Sequence, residues 1–351
     1  MQGMKIKELA AQLHISARTI RFYEEKGMIA PVKHPDNGYR YFTEREAVRL
    51  RMIMALREFG MSVEEVKSVL DRLDQGRRDE ALHELELQRS VMFTTWMDHK
   101  RRLEAADQMI ERLRRDSELE WEEMFQLAGG LKRQRELRED WFDGWDFDSR
   151  AAVHDIRVSL EEGENGRHPA YRRALRLIVQ RVAANAGEYG LDAGTGTGNL
   201  AGLFAEEGIR MAGVDQSNEM LKRCRSKFPQ VETRLGNLMS IPYMDGTFDF
   251  VVSSYALHHL TDEQKILALS EMRRTLKPHG RICVVDLMVD AAEIPEAGES
   301  VSTPDNEESE LPVYCAERSH MLDWFDRHGY FAASWHITGQ LHMIYAVPVR
   351  S

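Results

Sequence analysis

Cysteine is scarce: the 351 residues hold three, at Cys224, Cys283 and Cys315. None stands in a CxxC pair and any disulfide scheme leaves one over, which excludes a disulfide framework and argues against a structural zinc site. Long apolar runs are also missing. No stretch approaches the ~20 residues needed to cross a bilayer, and the start Met1-Gln2-Gly3-Met4-Lys5 lacks the apolar core of a signal peptide. The expectation is a cytoplasmic protein with no membrane partner. Positive charge is in deficit, with 47 Lys and Arg against 58 Asp and Glu, so an even distribution would repel nucleic acid. The distribution is uneven. Residues 1 to 74 carry 13 basic against 11 acidic side chains, a balance of +2, which leaves −13 for the rest. Any contact with nucleic acid therefore belongs to the N-terminal segment.

A chain of this length is long enough for two or three domains. The first opens with a helical pattern over Met4 to Leu13, where Ile6, Leu9, Ala10 and Leu13 recur on one face. Ser16 is a good N-cap for a second helix, Ala17 to Lys26, which Gly27 ends. Two short helices and a tight turn form a helix-turn-helix candidate. Arg18, Thr19, Arg21 and Tyr23 lie where such a helix meets base edges and phosphates. From this pattern alone an ordinary solvated helix is the alternative. Pro35-Asp36-Asn37-Gly38-Tyr39-Arg40-Tyr41-Phe42 then reads as a hairpin, a wing whose Tyr39 and Arg40 can reach a phosphate backbone.

Taken with Leu56-Arg-Glu-Phe-Gly-Met-Ser-Val-Glu-Glu-Val66, this stretch resembles the DNA-binding domain of the MerR family of transcription regulators over residues 1 to 72. The resemblance implies double-stranded promoter DNA and RNA polymerase as partners, and a long helix that pairs with its copy in a homodimer. A heptad follows, as required. Leu82, Leu85, Arg89, Met92, Trp96, His99, Leu103, Ala106, Ile110 and Leu113 fall on alternating steps of three and four, interrupted by Arg89 and His99. An amphipathic helix packed on its own chain is the alternative. The family's metal-sensing members place cysteines at the dimer helix; all three cysteines here lie beyond residue 220, which argues against metal sensing. Gly129-Gly130 marks the expected hinge. Asp290 to Pro312, acidic with three prolines, reads as a lid or a plain solvated insertion.

Residues 169 to 349 alternate helical stretches with β-rich runs at Tyr189–Ala193, Met211–Asp215, Phe248–Ser253 and Gly280–Asp286, the pattern of a mostly parallel, doubly wound sheet. The first run leads into Asp192-Ala-Gly194-Thr195-Gly196-Thr-Gly198, where missing side chains let a cofactor lie against backbone and a helix N-terminus. The acid two residues before the first glycine can attract a cationic group. Asp215, at the tip of the second run, is placed to accept from ribose hydroxyls, which suits either a dinucleotide or S-adenosylmethionine.

With Gly236-Asn237, Phe248-Asp-Phe-Val-Val-Ser-Ser-Tyr-Ala-Leu-His-His-Leu260 and Leu276-Lys-Pro-His-Gly-Arg-Ile, the pattern resembles class I S-adenosylmethionine-dependent methyltransferases over residues 140 to 349. The resemblance implies that Gly194, Thr195, Gly196 and Gly198 cradle the cofactor, with Asp192 near its amino group or a bound water. It implies Asp215 on the ribose, Gln216 and Met220 beside the adenosine, Gly236, Asn237 and Leu238 at the adenine, and Ser254 and Tyr255 on the methyl-transfer side. Asn237 departs from the Asp of many relatives and accepts without charge assistance. His258 or His259 is a candidate proton acceptor, against a capping or core role. Tyr171 is a lid or core residue, and Trp145 and Phe147 are candidates for a substrate wall.

No Asn/Asp-Pro-Pro-aromatic run and no Pro-Cys nucleophile is present, and this half is acidic, which argues against methylation of DNA bases. The expected layout is multidomain: a winged helix-turn-helix at 1–75, a coiled-coil helix and linker at 76–130, and an α/β, Rossmann-like methyltransferase domain at 131–351. The leading expectation is a nucleoid-associated dimeric regulator with a methyltransferase effector domain acting on a small molecule, with S-adenosylhomocysteine as product. Two alternatives share the layout: a sensor without turnover, and an enzyme that regulates its own gene.

Overall fold

Helix starts are written into the sequence as hydroxyl residues. Ser16 accepts from the Thr19 N–H, and Ser62 and Thr261 each form a reciprocal box with Glu65 and Gln264, satisfying amide donors that the first turn leaves over. The computed structural model describes residues 3–33, 39–115, 121–139, 146–160, 170–290 and 313–349. The wing tip at 34–38, Trp145 and the acidic stretch after Asp290 lie outside them. Among the described residues no helix is long and apolar enough to cross a membrane. The chain forms two compact units, Met1–Arg89 and Ser90–Ser351, dividing within a helix.

The first unit contains β1 (Met4–Lys5), α1 (Ile6–Gln12), α2 (Ala17–Glu25), β2 (Val32–Lys33), β3 (Arg40–Phe42), α3 (Glu44–Glu58), α4 (Val63–Asp74) and the start of α5 (Arg78–Arg115). The three strands pair antiparallel in the order β1-β3-β2. Met4 and Lys5, expected in the first helix, instead pair with Phe42 and Tyr41, because the returning wing strand supplies partners that a short helix end lacks. Leu9, Ile20, Tyr23, Phe42, Leu50, Ile53 and Val66 fill the core.

The second unit holds the rest of α5, then α6 (Trp121–Glu139), α7 (Phe147–Arg150), α8 (His154–Leu160) and α9 (Tyr171–Val182). Gly129 and Gly130 lie inside α6, so the expected hinge is corrected: a glycine in a helix costs about 1 kcal/mol relative to Ala without ending it. The sheet follows as β4 (Tyr189–Ala193), α10 (Asn199–Glu206), β5 (Arg210–Asp215), α11 (Asn218–Lys227), β6 (Glu232–Leu235), β7 (Phe248–Ser254), α12 (Asp262–Thr275), β8 (Leu276–Val289), β9 (Ala316–Glu317), α13 (Arg318–Arg327), β10 (Tyr330–Thr338) and β11 (Leu341–Pro348).

The strand order is β10-β11-β8-β7-β4-β5-β6, with β9 beside β8. Strands β6, β5, β4, β7 and β8 are parallel, and the β10–β11 hairpin closes the sheet antiparallel. Both sheet faces are buried: Val251 and Ala212 enter one core with Leu269 and Phe325, while their neighbours Phe250 and Met211 enter the other with Ile178 and Phe204. That alternation is the period of two of an extended chain. Strand order reverses at β4, so the crevice beyond the carboxyl ends of β4, β5 and β7 is where a ligand has room.

Candidate functional site

The glycine loop begins where β4 ends. Gly194 and Gly198 have φ of +79° and +85°, a region closed to most side chains. A Cβ on Gly194 would stand 2.5 Å from the Ala256 Cβ and 3.9 Å from Leu238, so the loop runs between the ends of β7 and the turn after β6. A Cβ on Gly198 would collide with the Cys224 thiol. Thr195 donates its hydroxyl to Asp192 and its side chain packs on Gly213, which makes it a brace for the loop.

Asp192 is 1% exposed. One carboxylate oxygen accepts from the Thr195 hydroxyl and the Ala201 N–H; the other, Oδ1, has no hydrogen-bond partner among the described residues. Burial pushes this carboxyl up to about 7, against the pull of those two donors, and the charge of Asp215 adds to the rise. A buried oxygen without a donor is costly unless a ligand supplies one. Asp215 accepts from the Gly196 N–H at 2.8 Å and the Ser217 N–H at 2.9 Å, so it ties the loop to the start of α11. Gln216 follows it, half-buried, and Met220 is buried, its N–H capped by Ser217.

On the far side, the Gly236 N–H donates to the Asp215 carbonyl, and Asn237 accepts from the Met239 N–H at 3.0 Å. Part of the Asn237 acceptor capacity is thus used locally. Ser254 ends β7, half-buried, and Tyr255 beyond it is buried with φ of +51°, a conformation that costs an L-residue about 1 to 3 kcal/mol. Its ring lies 5.3 Å from that of Tyr171, whose hydroxyl accepts from Asn199; burial pushes the Tyr171 phenol well up.

The two histidines separate. His258 is buried, and its Nδ1 lies 2.7 Å from Asp286. That carboxylate also accepts from the Ala256, Leu257 and Leu287 N–H groups. Burial favours its neutral form, but His258 and these N–H groups outweigh it and hold the carboxyl below its usual range. The His259 ring lies 4.0 Å from that of His258 at a tilt of 47° and edge-on to Phe147, so Phe147 borders this end of the sheet.

Several residues here carried no signal in the sequence. Asp148 accepts from the Ser217 hydroxyl and the Glu219 N–H. Asp155 accepts from Thr197, Asn199 and Lys227, and these bonds overcome its burial to lower the carboxyl. Asp148 thus pins α7 to the start of α11, and Asp155 pins α8 to the glycine loop. Asp148 and Asp155 sit in stretches without a motif, and Asp286 ends the Gly280–Asp286 run without standing out in it; only their distant partners mark them.

In the first unit, Arg18 and Arg21 are exposed on α2 and Tyr39 stands exposed beside the wing. Thr19 bonds the Ser16 hydroxyl, and Arg40 pairs with Glu24 at 2.8 Å. Tyr23 is 7% exposed and belongs to the core with Ile20 and Leu50.

The family description "MerR HTH family regulatory protein" matches residues 4–73, and "Methyltransferase domain" matches residues 191–284, the span from β4 into β8. A protein of Alkaliphilus oremlandii named as an uncharacterized methyltransferase is 32% identical over 148 residues, covering 42% of this chain and 68% of its own. The chain belongs to the methyltransferase family. Another member, the demethylmenaquinone methyltransferase of Renibacterium salmoninarum, is 34% identical over 141 residues, which are 40% of this chain and 56% of that one. The YcgJ protein of Bacillus subtilis, a solved structure, shares 20% identity at a TM-score of 0.44 and covers 52% of this chain and all of its own. The matched methyltransferase region thus contains the glycine loop, Asp215, the 236–238 turn and His258, with Asp286 two residues beyond its end, while the MerR-type region contains the exposed arginines of α2.

Proposed function

We propose that this methyltransferase is a dimeric, DNA-binding transcription regulator that binds S-adenosylmethionine in the loop after β4 and methylates a small molecule. The observation that carries the cofactor assignment is Asp192: a buried carboxylate with one unpartnered oxygen, beside glycines that no Cβ could replace, suits an ammonium group held against backbone. The chain's donors and acceptors fit the rest of that molecule, with Asp215 toward ribose hydroxyls and Gly236, Asn237 and Leu238 flanking a flat ring.

S-adenosylmethionine supplies an activated methyl group, so the protein's work is to position an acceptor in line and to exclude water. The Gly194–Gly198 backbone and the α7–α8 cover hold and enclose one side. His258, fixed through Nδ1 by Asp286, holds a proton taken from a hydroxyl or amine acceptor at Nε2. Tyr171 and Tyr255 form an aromatic wall.

The exposure of Met92, Trp96, Leu103, Ile110 and Leu113 along α5 supports pairing with a second copy. Arg18 and Arg21 support contact with promoter DNA in the nucleoid, where RNA polymerase is the expected partner. Isothermal titration with S-adenosylmethionine and S-adenosylhomocysteine tests the cofactor site, and footprinting on the gene's own promoter tests the DNA contact. Micromolar binding of either ligand and a two-fold symmetric footprint are expected; no heat with either ligand would refute the assignment of the loop.

A further inference from the structure

Between β6 and β7 the chain makes a turn whose residues face two ways. Leu238 lies against the glycine loop, 3.9 Å from where a Gly194 Cβ would stand, and the Gly236 N–H donates to the carbonyl of Asp215, whose side chain ties that loop. The next three residues face helices. Met239 is fully buried with Leu137 of α6 and Leu267 of α12. The Ser240 hydroxyl meets the Thr94 hydroxyl of α5 at 3.0 Å. Ile241 donates its N–H to Glu271 at 3.1 Å, and Glu271 accepts from Arg101 of α5 at 2.8 Å and from Arg274. Arg274 in turn donates to the Ile241 and Tyr243 carbonyls.

Glu271 is 1% exposed, so its charge stays buried only while guanidinium and amide donors surround it. Arg101 is one of those donors. The turn is therefore held on one side by α5, and no residue separates its loop-facing part from its helix-facing part: the Asn237 side chain bonds the Met239 N–H, and the Asn237 carbonyl accepts from the Ser240 N–H.

We propose that the 237–241 turn makes α5 responsive to the cofactor: a ligand seated on Asn237 and Leu238 fixes the turn in the conformation that bonds Thr94 and Arg101, and α5 docked in that way raises the affinity for the ligand. This rests on the cofactor reading given above. The ordering of one short segment is shared by two binding events, so whichever comes first lowers the entropic cost of the other, and the coupling acts equally in both directions. The methyltransferase unit thereby acts as a cofactor sensor for the helix that continues from the N-terminal unit.

The test uses the full chain and S-adenosylhomocysteine. Hydrogen exchange in the wild type should slow about fivefold or more at residues 90–101 when the ligand saturates, the lower end of ordinary coupling. Calorimetry on a Thr94→Val, Arg101→Gln variant should show affinity weakened by a similar factor, with Thr94→Ser alone close to wild type. Binding to the wild type with unchanged exchange, or unchanged affinity in a folded double variant, overturns the coupling and leaves the cofactor site standing. Absence of binding to the wild type overturns the cofactor reading and the coupling with it. Should the double variant fail to fold, the wild-type exchange comparison decides.

Discussion

Asp192 offers a test in which burial and ligand binding give opposite signs. Its carboxyl is raised from an ordinary 3.8 to about 7, so between these values the folded protein holds a proton that the unfolded chain has released. Stability attributable to this group is therefore full below about pH 4, falls as pH rises toward 7, and is constant above. A shift of this size corresponds to about 4 kcal/mol in total, of which about 2 to 3 kcal/mol is lost between pH 5 and pH 8. Asp192→Asn removes the titration, and the difference between the two proteins cancels the other ionisable groups. All six tryptophans lie beyond residue 89, so urea unfolding followed by tryptophan emission reports on the second unit alone. Wild type relative to Asp192→Asn should lose about 2 to 3 kcal/mol over that range. A cationic amino group at Oδ1 favours the ionised carboxylate, so binding of S-adenosylmethionine near pH 6 should release a proton, detectable as a dependence of binding heat on buffer ionisation enthalpy. A flat stability difference from pH 5 to pH 8 would refute the buried-carboxylate argument; binding heats independent of buffer would refute the ammonium contact.

Asp215→Ala should weaken S-adenosylmethionine by about 1.5 to 3 kcal/mol, the range for hydrogen bonds to a charged group, and unchanged affinity in calorimetry would remove Asp215 from the site. Gly194→Ala combines a left-handed φ with a 2.5 Å approach to Ala256, so it should abolish detectable binding while far-UV circular dichroism stays near wild type. In the first unit, Arg21→Ala should weaken operator binding in a footprint titration without altering cofactor affinity. Tyr23→Ala should instead destabilise the unit by about 3 kcal/mol or more, since it empties a core position; a folded Tyr23→Ala protein with a selective loss of DNA contact would contradict its burial.

Local pattern determined much of this protein. The N-cap at Ser16, the short wing strands, the apolar heptad, the glycine loop and the β-rich runs at 189–193 and 248–253 are properties of backbone conformation and of which face is buried, and both leave a period or a residue type in the sequence. Asp215 was legible for the same reason, because it stands at a fixed place after a strand. The burial of Tyr23 was not legible, since helical spacing alone does not say which face the rest of the unit covers, and Gly129-Gly130 reads as a hinge although α6 tolerates two glycines. Only the tertiary structure decided the partners. His258 meets Asp286 because β7 and β8 are neighbours, Asp148 and Asp155 matter because they bring α7 to the start of α11 and α8 to the glycine loop, and Arg101 reaches Glu271 across 170 positions of sequence. The strength of such contacts depends on distance and burial in space, and neither is written into spacing along the chain.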